Sequence, residues 1–192
     1  MNIKERIEEL VREEVLLEPF NKNWISLFEK EKSFLSNLLP DTIVKRIEHF
    51  GSTAIHRLTA KPVIDMLIEV TSYSETIKLI IPVLSELGYE YFWRTDVETP
   101  YCWFIKRDEN GKRSYHIHMV EKESELWDRL YFRDYLIKFP EAAMEYGRLK
   151  SRLAVSFPND RVAYHNGKSG FILSTTKKAK EYFLRIKEQV KF

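Results

Sequence analysis

The run from Val63 to Val70, VIDMLIEV, limits the possible folds more than any other part of the sequence. It is rich in β-branched residues and is bounded by Pro62 and Thr71, which predicts a strand at the buried centre of a sheet. A strand of that kind needs other strands beside it and helices over it, which points to an α/β or α+β architecture. The one feature out of keeping with burial is acidic: Asp65 stands near the start of the run and Glu69 near its end.

The flanking pattern supplies the other layers. Trp24, Leu27, Phe28, Phe34 and Leu35 recur at helical spacing, which predicts a helix capped at Asn23 and ending near Pro40. Ile43, Val44 and Ile47 lead to Phe50 as a strand that Gly51 turns. After the central run, Ser74 is expected to cap a helix through Ile77, Ile80, Ile81, Leu84 and Leu87, with Gly88 as its stop. Three more strands are predicted at Tyr89 to Trp93, Tyr101 to Lys106 and Ser114 to Val120, the last two joined by a hairpin loop from Asp108 to Gly111. From Glu123 the period is helical, with Pro140 as a divider. Two further helices are expected near Arg161 to Asn166 and from Ser174 to Val190, separated by Gly167 and Gly170. A first helix is expected over Met1 to Glu14, carrying Ile3, Ile7, Leu10 and Val11. Nothing resembling a repeat or a polar linker interrupts the chain, so a single domain over residues 1–192 is expected.

Composition narrows the function. Lys and Arg total 31 against 29 Asp and Glu, without the basic excess of a dedicated nucleic-acid binder, so bulk nucleic acid is not an expected partner. No apolar run approaches the roughly 18 residues that a membrane span requires, and no secretion signal is legible, so a soluble cytoplasmic protein is expected. Cys102 is the one cysteine; between Tyr101 and Trp103 it reads as a small buried hydrophobe. The basic residues of the final segment, Lys177 to Lys191, alternate with Glu181 and Glu188 and read as a solvated helix face.

Chemistry concentrates in Arg46 to Val70, where one strand runs into Gly51-Ser52-Thr53 and a second presents Asp65. A glycine at such a turn lets backbone N–H groups approach a phosphate, the two hydroxyls add donors, and a following helix would add its positive N-terminal end. Twelve residues separate Ser52 from Asp65, enough for the chain to return and set the carboxylate opposite the turn. Cation and phosphate would then share one pocket. Position 67, where a second acid would share the face of Asp65, is Leu67. Glu69 is about 13 Å further along the strand, which leaves Glu48 as the candidate second acid. His116 and His118 form a second pair, projecting from one face of a strand while Ile117 faces the other way. Lys61 stands just before Pro62, where it could reach a phosphate as a flexible charge. The aromatics Trp24, Trp93, Trp103, Trp127 and Tyr135 are read as core.

The segments EHFGSTAIHRLTAKPVIDMLIEV, YHIHMVEKESELW, LYFRDYLIKFPEAAMEYGRLKSRLA and AYHNGKSGFI resemble, in order, the sequence blocks of the GrpB family. That resemblance implies a nucleotidyltransferase-like mixed β-sheet flanked by helices, with C-terminal helices. It implies a nucleotide or other phosphorylated small molecule as ligand, Mg²⁺ as cation, and transfer to an unidentified acceptor. The alternative, motivated by Leu67 in place of the second acid, is a non-catalytic interaction module that binds a nucleotide or CoA-related ligand without turnover; family members also occur fused to dephospho-CoA kinase domains. The residues it singles out are Glu48, His49, Gly51, Ser52, Thr53, Lys61, Asp65, His116, His118, Arg133, Asp134, Tyr164 and Lys168. Asp65 and Glu48 would hold the metal, His116 and His118 would take part in catalysis, and Gly51, Ser52, Thr53, Lys61, Arg133 and Lys168 would hold phosphate. Family members often carry Pro-Gly after the GST segment. Here His56-Arg57 stands instead, which is expected to alter the loop.

Overall fold

The computed structural model describes residues 12–94 and 100–189. They form two compact units, each assembled from separated stretches of chain: one from residues 21–54, 62–94 and 100–129, the other from residues 12–20, 55–61 and 130–189. The first eleven residues of the helix expected over Met1 to Glu14 lie outside the described residues, as does Val190. No helix among the described residues is long and apolar enough to cross a membrane.

The first unit is built on a five-stranded mixed sheet. Its strands are β1 (Val44–Phe50), β2 (Ile64–Val70), β3 (Glu90–Arg94), β4 (Tyr101–Arg107) and β5 (Arg113–Glu121), in the order β1-β2-β5-β4-β3. Only β2 and β5 run parallel; every other neighbouring pair is antiparallel. The run that sequence marks as central is therefore flanked on both sides, and Met66, Leu67 and Ile68 are fully buried. The hairpin between β4 and β5 is fixed by Asp108, whose carboxylate accepts from the N–H groups of Asn110 and Lys112 at 2.9 Å.

Helix α1 (Asn23–Leu38) packs on β1 and β2. It buries Trp24, Phe28 and Leu35, each contributing about 1.5–3 kcal/mol of apolar burial. Phe28 stacks on the His49 ring with centroids 4.6 Å apart. Its start differs from expectation, because Asn21 rather than Asn23 supplies the capping oxygen, accepting from the Asn23 N–H at 3.0 Å. Glu31 is buried on the same helix, and Lys106 neutralises it at 2.9 Å while the Tyr89 hydroxyl donates to it. A buried carboxylate costs several kcal/mol unless paired, and here Lys106 of β4 and Tyr89, just before β3, supply the partners.

Between β2 and β3 the chain forms a helical run: α2 (Tyr73–Glu75), a π-helical turn Thr76–Ile80, and α3 (Ile81–Glu86). Ser72, not Ser74, caps it: Ser72 has the extended backbone an N-cap needs, and its hydroxyl accepts from the Glu75 N–H at 3.4 Å. Gly88 closes the run with φ +81.

The second unit holds most of α4 (Asp128–Lys138), with α5 (Pro140–Ser156) and α6 (Arg161–Gln189). Its core joins Ile55, Leu58, Phe132, Leu136, Tyr146 and Ile172. The two helices expected after residue 160 are one. Gly167 and Gly170 sit inside α6 as ordinary helical residues, because tertiary packing outweighs the roughly 1 kcal/mol that each glycine costs a helix. Gly167 also permits a close approach: a Cβ there would lie 2.4 Å from Leu153 Cδ2 on α5. Lys150 is buried on α5, donates to the Thr59 carbonyl, and lies 4.9 Å from the Tyr146 ring centroid.

Candidate functional site

Strand pairing gathers the chemistry of the first unit on one face of its sheet. In the antiparallel β1–β2 ladder Phe50 stands opposite Asp65, so the carboxylate lies against the turn that follows β1. Gly51 makes that turn with φ +74, a left-handed conformation that favours glycine. Space enforces the same choice, because a Cβ on Gly51 would lie 2.3 Å from Asp65 Oδ2. The parallel β2–β5 ladder then sets His116 opposite Asp65 and His118 opposite Leu67, on the same face.

The contacts are close. His116 Nδ1 is 3.2 Å from Asp65 Oδ1, and one ligand atom from each of Asp65, His116 and His118 lies within 4.8 Å of the others. Asp65 keeps 27% of its side-chain surface exposed, so the group can be reached from outside. The surroundings are aromatic. Trp103 of β4 pairs with His118 in register, and its ring lies 5.3 Å from His116 and 6.3 Å from His118. Phe50 meets His118 edge-on at 5.1 Å, and Tyr101 lies 5.3 Å away. The Arg94 guanidinium sits 5.1 Å from the Trp103 ring centroid.

This frame sets the protonation of His118. Burial pushes its pKa down to about 3; Asp65 opposes that shift, and the charges of His116, Arg94 and Arg129 reinforce it. At neutral pH the imidazole is therefore neutral, the form that ligates a metal. His118 Nδ1 is buried and makes no hydrogen bond among the described residues. A buried ring nitrogen of this kind is costly without a partner.

Other residues singled out by sequence have different surroundings. Thr53 is buried, donates to the Val63 carbonyl at 3.3 Å, and lies 3.0 Å from His49 Nε2. Its hydroxyl and the His49 ring thus engage each other, and in register His49 pairs with Met66, one position away from the Asp65 face. The segment after Gly51 is a three-residue 3-10 turn, Ser52–Ala54, too short to bring the helix terminus expected there. Glu48 is not one of the three clustered ligands: Arg46 Nε holds its carboxylate at 2.9 Å, and it lines a separate hollow of about 380 Å³ with Lys32, Lys45 and Arg46.

Lys61, Arg133, Tyr164 and Lys168 belong to the second unit. Tyr164 is buried there, and Lys61 Nζ and Lys168 Nζ lie 5.6 and 5.0 Å from its ring centroid. Arg133 pairs with Asp134 at 2.7 Å. Arg57 takes φ +64, a left-handed conformation that favours glycine. Cys102 is fully buried, and burial pushes its thiol up to about 11, which leaves it unreactive at neutral pH.

Trp103, Phe50 and Arg94 were not legible as site residues from composition or periodicity. Counting both strands back from the Asp108–Gly111 loop sets Trp103 against His116; a register irregularity between Lys106 and Arg107 brings it against His118 instead.

The GrpB protein family matches residues 14–178. The glutamate-rich protein GrpB of Alkalihalophilus pseudofirmus is 38% identical over 161 residues, covering 83% of this chain and 92% of that protein. The UPF0157 protein YqkA of Bacillus subtilis is 35% identical over 164 residues, 85% of this chain, and the chain spans only 46% of its length. Among solved structures, conserved protein GrpB from Enterococcus faecalis superposes with a TM-score of 0.77 at 31% identity, covering 88% of this chain and 99% of that one.

Proposed function

Since the chain belongs to the GrpB family, we propose that it binds a nucleotide or another phosphate-bearing small molecule at the Gly51 turn, beside Asp65, His116 and His118. The observation that carries this reading is the contact between turn and carboxylate. Gly51 leaves no room for a Cβ because Asp65 occupies that place, so any anion held by the backbone N–H groups of the turn lies next to the carboxylate. Two like charges so placed need a cation or a protonated imidazole between them. Ser52 adds a hydroxyl donor, and the rings of Trp103 and Phe50 give the site an apolar wall of the sort that small-molecule sites use.

The magnesium ion implied by the family resemblance fits this donor set poorly. Mg²⁺ takes hard oxygen ligands in near-octahedral geometry, whereas the cluster offers one carboxylate and two imidazoles. No step is assigned to it.

Two forms of the reading are separable. Nucleotidyl transfer is favoured by His116, within hydrogen-bonding distance of Asp65 and able to orient an acceptor. Binding without turnover, to a nucleotide or a CoA-related ligand, is favoured by Leu67, fully buried where a second acid would stand. Calorimetric titration of ATP, CTP, UTP, GTP and CoA, in parallel with an assay for pyrophosphate release, tests both. Binding that Asp65→Asn changes supports the site. Pyrophosphate release assigns it to transfer, binding alone assigns it to a ligand module, and no binding by any of the five contradicts the reading.

A further inference from the structure

We propose that Asp65, His116 and His118 form a three-ligand site for a transition-metal ion of the Zn²⁺ class, with an open coordination position facing the Gly51 turn. The inference names the cation of the phosphate site described above, and it rests on that reading only for what fills the open position. The three side chains form the one group of three His, Cys, Asp or Glu residues among the described residues whose ligand atoms converge in this way. Their mutual limit of 4.8 Å is only slightly wider than the ~3.4 Å separating ligands around a tetrahedral zinc, so rotation about side-chain bonds closes it.

Register makes the convergence durable. His116 and His118 are two apart on β5 and share a face, while Asp65 is held opposite His116 on the adjoining parallel strand. Both are interior strands of the sheet, each hydrogen-bonded on two sides, so the backbone under the ligands is fixed. A site on rigid strands needs little reorganisation to bind.

One observation points to a ligand, and a second fixes the carboxylate beside the turn. His118 Nδ1 is a buried nitrogen with no hydrogen-bond partner among the described residues, at a position where a metal or a polar ligand group would satisfy it. The Gly51 turn is glycine by steric necessity, because the Asp65 carboxylate fills the space a Cβ would take, so the turn and the carboxylate stay in contact.

Donor type then selects the ion. Imidazole nitrogen suits zinc, iron, nickel and copper, whereas magnesium favours oxygen donors alone. Three protein ligands with a fourth place open describe a catalytic or ligand-binding metal site rather than a structural one. A phosphate oxygen or water fits that place.

The test uses the untagged full chain, stripped with a chelator and dialysed. Zn²⁺ and Mg²⁺ are titrated separately by calorimetry, and Co²⁺ is added as a spectroscopic stand-in. The proposal expects one Zn²⁺ per chain, at least 100-fold tighter than Mg²⁺, and a visible Co²⁺ band typical of nitrogen ligation in a low-coordinate site. His118→Gln is expected to weaken Zn²⁺ at least tenfold while far-UV circular dichroism is unchanged. Where that variant fails to fold, the wild-type Co²⁺ spectrum and the Zn²⁺ to Mg²⁺ ratio decide. Magnesium binding as tightly as zinc, a Co²⁺ spectrum of the hexa-aquo type, or a folded His118→Gln with unchanged zinc affinity overturns it. Zinc binding with no nucleotide binding would leave this site standing and remove the phosphate reading; metal-independent nucleotide binding with no zinc binding would do the reverse.

Discussion

At the scale of single residues, two left-handed positions carry opposite lessons. Gly51 holds φ +74 with Asp65 Oδ2 at 2.3 Å from where a Cβ would be. Gly51→Ala is expected to cost about 1–2 kcal/mol from backbone conformation alone, measurable as a lower denaturant midpoint. It should also abolish metal and phosphate binding by displacing the carboxylate. Retained binding in a folded Gly51→Ala would show that the turn and Asp65 do not act together. Arg57 holds φ +64 although it carries a side chain. Replacing it with glycine relieves that strain at the cost of a more flexible unfolded chain, so Arg57→Gly is expected to stabilise the fold by about 0.5–1 kcal/mol. An unchanged or lower unfolding free energy in urea would contradict this. Sequence alone identified Gly51 and Asp65 because a turn glycine and an acid in an apolar strand are both anomalies. It could not weigh Thr53, whose hydroxyl serves the core through Val63 and His49, since a hydroxyl looks alike in either role.

At the scale of elements, every strand of the sheet was legible, because alternation, β-branching and turn residues agree along residues 43–120. The helices were harder to read where glycine argued against packing. Gly167 and Gly170 suggested a break, yet α6 runs unbroken from Arg161 to Gln189. The two glycines are not equivalent. Nothing lies within 4 Å of a Cβ at Gly170, whereas one at Gly167 meets Leu153. Gly170→Ala is therefore expected to raise stability by about 0.5–1 kcal/mol through helix propensity, and Gly167→Ala to gain less. Equilibrium urea unfolding of both variants checks the order; a larger gain at Gly167 would contradict the packing account. The pairing of β2 with β5 was the least accessible element-level fact. It is parallel and joins segments about fifty residues apart, and no local signal fixes such a register. The convergence of Asp65 with His116 and His118 depends on that register, so sequence could supply the three residues but not their meeting.

At the scale of the whole molecule, the buried tyrosines set an alkaline limit. Burial raises the hydroxyl of Tyr115 to about 12 and moves Tyr89, Tyr91 and Tyr164 upward in the same sense. The unfolded chain releases these protons near pH 10, while the folded chain retains them. Their contribution to stability is thus complete below pH 10 and falls as pH rises from 10 to 12. Urea midpoints should be level from pH 8 to 9.5 and decline beyond 10; a level midpoint through pH 11 would contradict the burial of these hydroxyls. The proposed function rests on one arrangement, a cation held by strands β2 and β5 next to an anion held by the Gly51 turn. Anomalous diffraction at the zinc edge, from crystals grown with Zn²⁺ and a non-hydrolysable nucleoside triphosphate, tests it directly. The account predicts a zinc peak within bonding distance of Asp65, His116 and His118, with a phosphate oxygen as a further ligand. A vacant cluster, with zinc or phosphate bound elsewhere on the protein, would contradict it.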